Sequence, residues 1–227
     1  MNLIGQFPAP AMWLAGAHLA RVVSVKDPLS QGRVQVRLLA ADPDGEALIW
    51  ARVAVPYAGD KYGAFLIPGI DEEVLVVLTA NDADHPIVVG ALWNGRTALP
   101  ESLAKDAVDS WTLTGPNGTR IAIVEEAAGQ ETVEISTPAG ATATLTDASG
   151  GEITLKVGTN TIEMGTSGIA VETSGEFSVK ASTVSIQASS VDVKTPLATF
   201  SMAIDCKMLT ATAITSSSYS PGAGNVW

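Results

Sequence analysis

The sequence predicts an all-β chain in two parts: an N-terminal small barrel, then a C-terminal β region wound by three copies around one axis. Three observations carry this expectation. Residues 18–95 contain five short segments in which apolar and polar residues alternate, the period of half-buried strands. Near residue 110 the composition changes from a mixture of aromatics, prolines and charges to Thr, Ser, Ala, Val, Ile and Gly. Beyond that point apolar pairs at i and i+2 recur, settling from Ile162 to a spacing of about seven or eight residues, and a fixed short period marks stacked β units.

The barrel elements follow in order. His18 to Lys26 reads as a strand, and Asp27 to Gly32 as a turn punctuated by Pro28 and Gly32. Arg33 to Leu39 alternates as a half-buried antiparallel strand, and a loop at Asp42 to Glu46 leads to a strand over Leu48 to Val55. Asp71 to Leu78 and Pro86 to Trp93 complete the set. Five strands in such a span suit a closed barrel of the oligonucleotide/oligosaccharide-binding (OB) type. Asn94 to Asp109 is the bridge, with room for one short helical turn.

In the second half the apolar pairs are Ile121 with Ile123, Val133 with Ile135, Ile153 with Leu155, Ile162 with Met164, Ile169 with Val171, Phe177 with Val179, Val184 with Ile186 and Val191 with Val193, and Leu145 is a weaker member. Thr-Ser-Gly at 166–168 and at 173–175 reads as two corners. Units this short do not bury their pairs alone. They fit an intertwined triple-stranded β-helix in which each chain of a homotrimer supplies one face at a time, with these pairs as the trimer core. Such a prism also hides strand edges along its length. The expected organisation is an extension (1–17), the barrel (18–95), a linker (96–110), the wound region (111–214) and a tip segment (215–227).

Bulk properties agree. Charged residues are 16% and aromatics 5% of the 227 residues; ordinary domains carry about 25% charged residues, so a sparsely charged chain is expected to hide surface by self-association. A net charge of −11 repels phosphate backbones and argues against nucleic-acid partners. One cysteine, Cys206, excludes an intrachain disulfide and Cys-based zinc sites. No basic n-region precedes the apolar start, which Pro8 and Pro10 interrupt, and no run approaches the length of a membrane span.

The run from His18 to Leu38 resembles the opening of the OB domain in phage baseplate spikes of the baseplate assembly protein V type and in the valine-glycine-repeat (VgrG) spikes of type VI secretion. Asp27-Pro28 and Gly32-Arg33-Val34 match its Asp-Pro and Gly-Arg-Val, and Trp50-Ala51-Arg52-Val53 matches its Trp-x-Arg-Val. Ala58-Gly59 and Gly63-Ala64-Phe65 resemble its small-residue loop. Pro68-Gly69-Ile70-Asp71-Glu72-Glu73-Val74 and Pro86 to Asn94, with Gly90 and Trp93, match its last two strands. The resemblance covers about residues 18–95 and implies a homotrimer with barrels above a needle, docked to baseplate hub proteins and meeting a target cell envelope transiently. It places the chain in a phage tail baseplate or another contractile injection particle. Two departures stand out: the linker is too short for the lysozyme domain some members insert, and no His-x-His iron tip is present. The C-terminal end, with Tyr219 and Trp227, is therefore either frayed or docked against a separate tip protein of PAAR type.

Other candidate sites read as structural. His85 beside Asp82 and Asp84 could ligate a metal but suits a solvated loop, and His18 suits packing. Asp71, Glu72 and Glu73 could supply general acid–base chemistry but suit a loop before a barrel strand. Cys206 reads as a small buried hydrophobe, Trp13, Trp50, Trp93 and Trp111 as core and interface anchors rather than base-stacking platforms, and Gly115 to Gly118 as a turn without Walker spacing. Asp192 and Lys194 are expected to pair across chains. No catalytic residue, metal or cofactor is expected. The competing readings are a tailspike hydrolase using two of Glu163, Glu172 and Glu176, which needs carboxylates about 5–9 Å apart, and an OB nucleic-acid module with a trimerising tail.

Overall fold

The computed structural model describes residues 16–40, 48–103 and 106–218. The extension up to residue 15 and the tip residues Tyr219 and Trp227 lie outside the described residues. The chain divides after Gly175 into two units.

The first unit opens with a closed barrel. Its strands are β1 (Ala17–Ser24), β2 (Val34–Leu38), β3 (Leu48–Val53), β6 (Glu73–Leu78) and β7 (Pro86–Leu92), in the order β1-β2-β3-β7-β6. All neighbours are antiparallel except β3 and β7, whose parallel contact at Arg52/Ile87 and Val53/Val88 closes the ring. A two-strand hairpin, β4 (Ala58–Gly59) and β5 (Tyr62–Gly63), interrupts the run between β3 and β6. The strand directions sort the connections: the start of β1, the end of β2, the start of β3 and the loop at 79–85 share one end. The loop at 25–33, the segment 54–72 and the exit of β7 share the other.

Alternation decides what fills the ring. Val22, Val34, Val36, Val74, Val76 and Val88 are essentially fully buried, with Ala20, Ala51, Leu38 and Leu78 completing the core. A five-stranded ring has space for short branched side chains, so no aromatic enters it. The expectation of tryptophans in the barrel core is corrected accordingly: Trp50 is half-buried on the outer wall, and Trp93 is 69% exposed.

After the barrel comes a seven-stranded antiparallel meander: β8 (Ser110–Thr114), β9 (Arg120–Val124), β10 (Thr132–Ser136), β11 (Thr142–Thr146), β12 (Glu152–Val157), β13 (Asn160–Gly165) and β14 (Gly168–Glu172), each paired to the next. The expected helical turn in the bridge is absent among its described residues. The sequence predicts pairing between chains throughout this region, whereas the strands up to Glu172 pair within one chain. Tight turns make this possible. In the first, the Gly115 amide donates to the Thr119 carbonyl at 2.8 Å and the Gly118 amide to the Gly115 carbonyl at 2.9 Å, with Gly118 at φ +87°, a conformation glycine adopts without a Cβ penalty.

The second unit is different. Among its described residues, 176–218, there is no strand, no helix and no backbone–backbone hydrogen bond, and every side chain is exposed. Six residues expected in a core shared by three chains have no covering layer in the single chain. Phe177, Val179, Val184, Ile186, Val191 and Val193 belong to no strand and all face solvent. The physical reason is that one chain offers them no opposing layer. Bends at Ser182, Ser189 and Pro196 fall seven residues apart and frame Val184 with Ile186 and Val191 with Val193. In the single chain Cys206, expected to be buried, is exposed, and Asp192 and Lys194 lie 3.1 Å apart.

Since Val36 is fully buried in the barrel's core, Val36→Ala should lower barrel stability by about 2 kcal/mol. The check is a urea titration whose midpoint falls while its slope is unchanged.

Candidate functional site

Two arrangements stand out, one fastening the barrel and one left open on the meander. The first is the turn after β1. The Asp27 side chain is 3% exposed, and its two oxygens accept from the backbone amides of Leu29 (3.0 Å), Gln31 (2.8 Å) and Arg33 (3.3 Å). They also accept from the Arg33 guanidinium, Nη2 at 2.7 Å and Nε at 3.2 Å. The guanidinium in turn lies 5.6 Å from the centre of the Trp50 ring on β3, a cation–π distance. One carboxylate thus closes a loop and ties β1, β2 and β3 together. The Arg33 hydrogen bonds hold the Asp27 carboxyl well below the usual carboxylate range; burial opposes this, and the three backbone amides add to it.

The remaining motif positions are distributed along the barrel. Pro28 and Gly32 sit in the same turn as Asp27. Gly69 lies against Glu72, whose carboxylate leaves little space for a Cβ. Glu73 accepts from the Asn94 amide at 3.2 Å, and with Trp93, Asp71 and Glu72 it lines an open cavity of about 610 Å³. Gly90 faces Leu75 beside a β-bulge. Asp82 accepts from His85 at 2.9 Å and from the Asp84 amide at 2.9 Å, but no cluster of three metal-ligating side chains is found among the described residues.

The second arrangement is the face of the meander. Register places the predicted pairs in two continuous rows. One runs Trp111, Ile123, Val133, Leu145, Ile153, Met164 and Ile169; the other runs Leu113, Ile121, Ile135, Ala143, Leu155, Ile162 and Val171. All point to one side because the side-chain period of a strand is two. This side is the open one: Ile121 is 46%, Ile135 47% and Leu155 42% exposed. On the opposite face, Ala122 is fully buried and Thr112, Glu134 and Thr144 are half-buried. Part of that polar side is held by the chain's own linker, since Arg120 pairs with Glu101 at 2.7 Å and Glu134 at 3.2 Å.

The apolar face is therefore wetter than the polar one, the reverse of a finished fold. Along the first row it is hollowed into a groove of about 600 Å³ lined by Ile123, Val133, Leu145, Ile153 and Met164. Farther along, Val179, Ile186 and Val193, with their partners Phe177, Val184 and Val191, are all 60% exposed or more; the chain by itself does not bring them to a core. Glu163 and Glu172 stand on the open polar side of β13 and β14, opposite Ala170 and Thr161. Sequence periodicity found the ladder. What it missed was Trp111 and Leu113 as its first rung, which the alternation in Ser110–Thr114 carries.

The family described as the type VI secretion system/phage-baseplate injector OB domain matches residues 18–93. The type VI secretion system spike protein VgrG5 of Pseudomonas aeruginosa is 31% identical over 109 residues, 45% of this chain and 14% of its own length. VgrG1a of the same organism is 30% identical over 116 residues, 48% of this chain and 18% of its own length. VgrG3 of Vibrio cholerae is 32% identical over 86 residues, 36% of this chain and 8% of its own length. The chain thus spans less than a fifth of the length of these relatives.

Because the folded-state value of Asp27 lies below the unfolded one, the clamp's contribution to stability is complete above the unfolded carboxylate value near ~3.9 and is lost as pH falls through the folded value. Native protein and Asp27→Asn should therefore differ by a constant amount in denaturant titrations from about pH 7 to pH 5 and converge in stronger acid. A difference that persists unchanged through the acid range would remove the carboxylate from this role.

Proposed function

We propose that this chain, whose residues 18–93 match the injector OB-domain family of type VI secretion systems and phage baseplates, is the central spike of a contractile injection machine. In this reading it is a homotrimer without catalytic residues that pierces a target envelope when the sheath contracts. The single observation that carries the reading is the uncovered apolar ladder of residues 111–171. Covering its exposed aliphatic surface removes on the order of 800 Å² per chain, the size of a standard protein interface. Three such faces turned inward make a dry three-sided core with the polar sides outward.

The segment 176–218 supports the same reading. Its backbone donors and acceptors have no backbone partners among the described residues, and such groups are costly to leave unpaired once buried. Strands from the other two copies supply partners, and the seven-residue bend spacing gives each chain one short side per step. The exposed Val179, Ile186 and Val193 then turn inward with their neighbours. From Phe177 onward the chains interlock, so the needle cannot shear strand from strand without breaking the ladder. The relatives named as spike proteins support a place beside the baseplate hub, with the barrels toward the hub and the C-terminal end toward the target, where a PAAR-type protein is the candidate tip partner.

Purified protein should scatter light as three copies of 23.4 kDa, about 70 kDa, and should resist detergent until heated. A folded species of single-chain mass would sink the spike reading. Ile135→Asp, at the middle of the second row, should shift the population to monomers while the barrel keeps its own unfolding transition, because a charge placed in a dry core costs several kcal/mol. An Ile135→Asp protein that remains a detergent-resistant trimer would show that the ladder is not the inner face.

A further inference from the structure

We propose that the β4–β5 hairpin of one copy docks into the cavity between the start of β6 and the exit of β7 of the next copy, so that three barrels close a ring with Lys61 set against Asp71, Glu72 and Glu73. The inference rests on the homotrimer reading above and adds to it a second contact, made by the barrels and separate from the ladder.

The hairpin is the first observation. Its tip is the two-residue turn Asp60–Lys61 between the paired Gly59 and Tyr62. The Ala64 amide donates to the Tyr57 carbonyl at 3.1 Å. Its glycines sit where the packing is tightest: a Cβ at Gly59 would meet the Tyr62 ring, and one at Gly63 the Tyr57 carbonyl. The hairpin is thus a fixed support, yet the rings it carries cover little. Tyr62 is 68% and Phe65 84% exposed, and Tyr57 is exposed beside them. Aromatic side chains held ready on a rigid support are the usual anchors of an interface. Lys61 has φ +63°, a conformation that glycine adopts without cost, so the turn itself gains nothing from a lysine. Its ammonium has no ion-pair partner among the described residues.

The cavity is the second. It measures about 610 Å³ and has apolar walls from Ile70, Leu92 and Trp93, with Asp71, Glu72 and Glu73 beside them. Ile70 and Trp93 are more than half exposed. Glu73 accepts from the Asn94 amide, but no lysine or arginine pairs with any of the three carboxylates among the described residues. Carboxylates on apolar walls need a cation once water leaves. A lysine flanked by aromatic rings offers the charge to the acids and the rings to the walls.

Placement is the third. Hairpin and cavity stand at the same end of the barrel but on different flanks. The hairpin lies against Gln31, before β2, and Val53, at the end of β3, whereas the cavity belongs to β6 and β7. The hairpin therefore does not fill the cavity of its own chain. A contact between two different patches of one chain is heterologous, and it closes into a ring when the rotation brings the last copy back to the first. Two patches at one end of the barrel suit closure, and the ring has the copy number of the proposed needle.

The test uses the native full chain and a carbodiimide, which joins an amine directly to a carboxylate it touches. Lys61 should couple to the peptide carrying Asp71, Glu72 and Glu73, found by mass in the covalent dimer and trimer bands of a denaturing gel and not in the monomer band. Lys61→Arg keeps the charge but has no amine to couple, so the yield of linked trimer should fall at least about tenfold. Coupling of Lys61 within single chains overturns the inference, and so do covalent species that grow past three copies. Light scattering on the same samples separates the two readings. A trimer without Lys61 coupling overturns the ring alone, and a single-chain mass overturns both. A second measurement needs no reagent. Lys61→Glu should lower the barrel's urea midpoint in the trimer, where it sets like charges together, and leave it unchanged in Ile135→Asp monomers. An equal shift in both, or none in the trimer, overturns the inference.

Discussion

The constraint on which the rest depends is that, among the described residues of the first unit, nothing covers the meander's apolar face. Two rows of side chains run the full width of seven strands, and the fold that aligns them also leaves them facing water. A sheet needs a second layer to be stable, and within the first unit the linker goes instead to the polar side, through Arg120 and Glu101. On the proposed reading, everything beyond the barrel is organised for association, and the sparse charge, the scarcity of aromatics and the choice of Val, Ile and Leu follow from a core that is narrow and shared.

The two units represent two stages of that dependence. The meander has its hydrogen bonds satisfied within the chain and lacks only a partner for its side chains. The described residues after Gly175 lack strand partners for the backbone and a covering layer for the apolar side chains alike. On the proposed reading, order would pass from one to the other: three preformed sheets meet first, and the interlocked part follows because it has no structure to gain until they do. Such a needle would be hard to unfold once assembled, since no chain can leave without breaking contacts to the other two, and this is the stiffness that transmitting a thrust demands.

The barrel is built on an opposite principle, with a complete core of its own. Its valine ring is closed by a short parallel contact between β3 and β7, and the turn after β1 is held by one carboxylate serving three amides and a guanidinium. Asp27 and Arg33 act as a fastening for the strand connection rather than as reactive groups, consistent with a domain that positions other parts.

The sequence by itself determined the strands of the barrel to within a few residues, the apolar pairs of the second half and the Asp27–Arg33 motif. These depend on alternation and on local turn chemistry, both written in neighbouring residues. It also determined most of the side chains that form the ladder from Ile121 to Val171, because a period of two assigns a face as soon as a strand exists. Only the tertiary structure decided that the meander pairs within one chain up to Glu172 and stops there, leaving Val179, Ile186 and Val193 outside any strand. It alone decided that Trp50 lies under Arg33 instead of in the core, and that Cys206 is open to solvent. The physical reason is common to all of these. A strand's pattern says which side is to be buried but not against which strand, and pairing register, barrel width and the handover from one partner to another are settled by contacts between residues far apart in the chain.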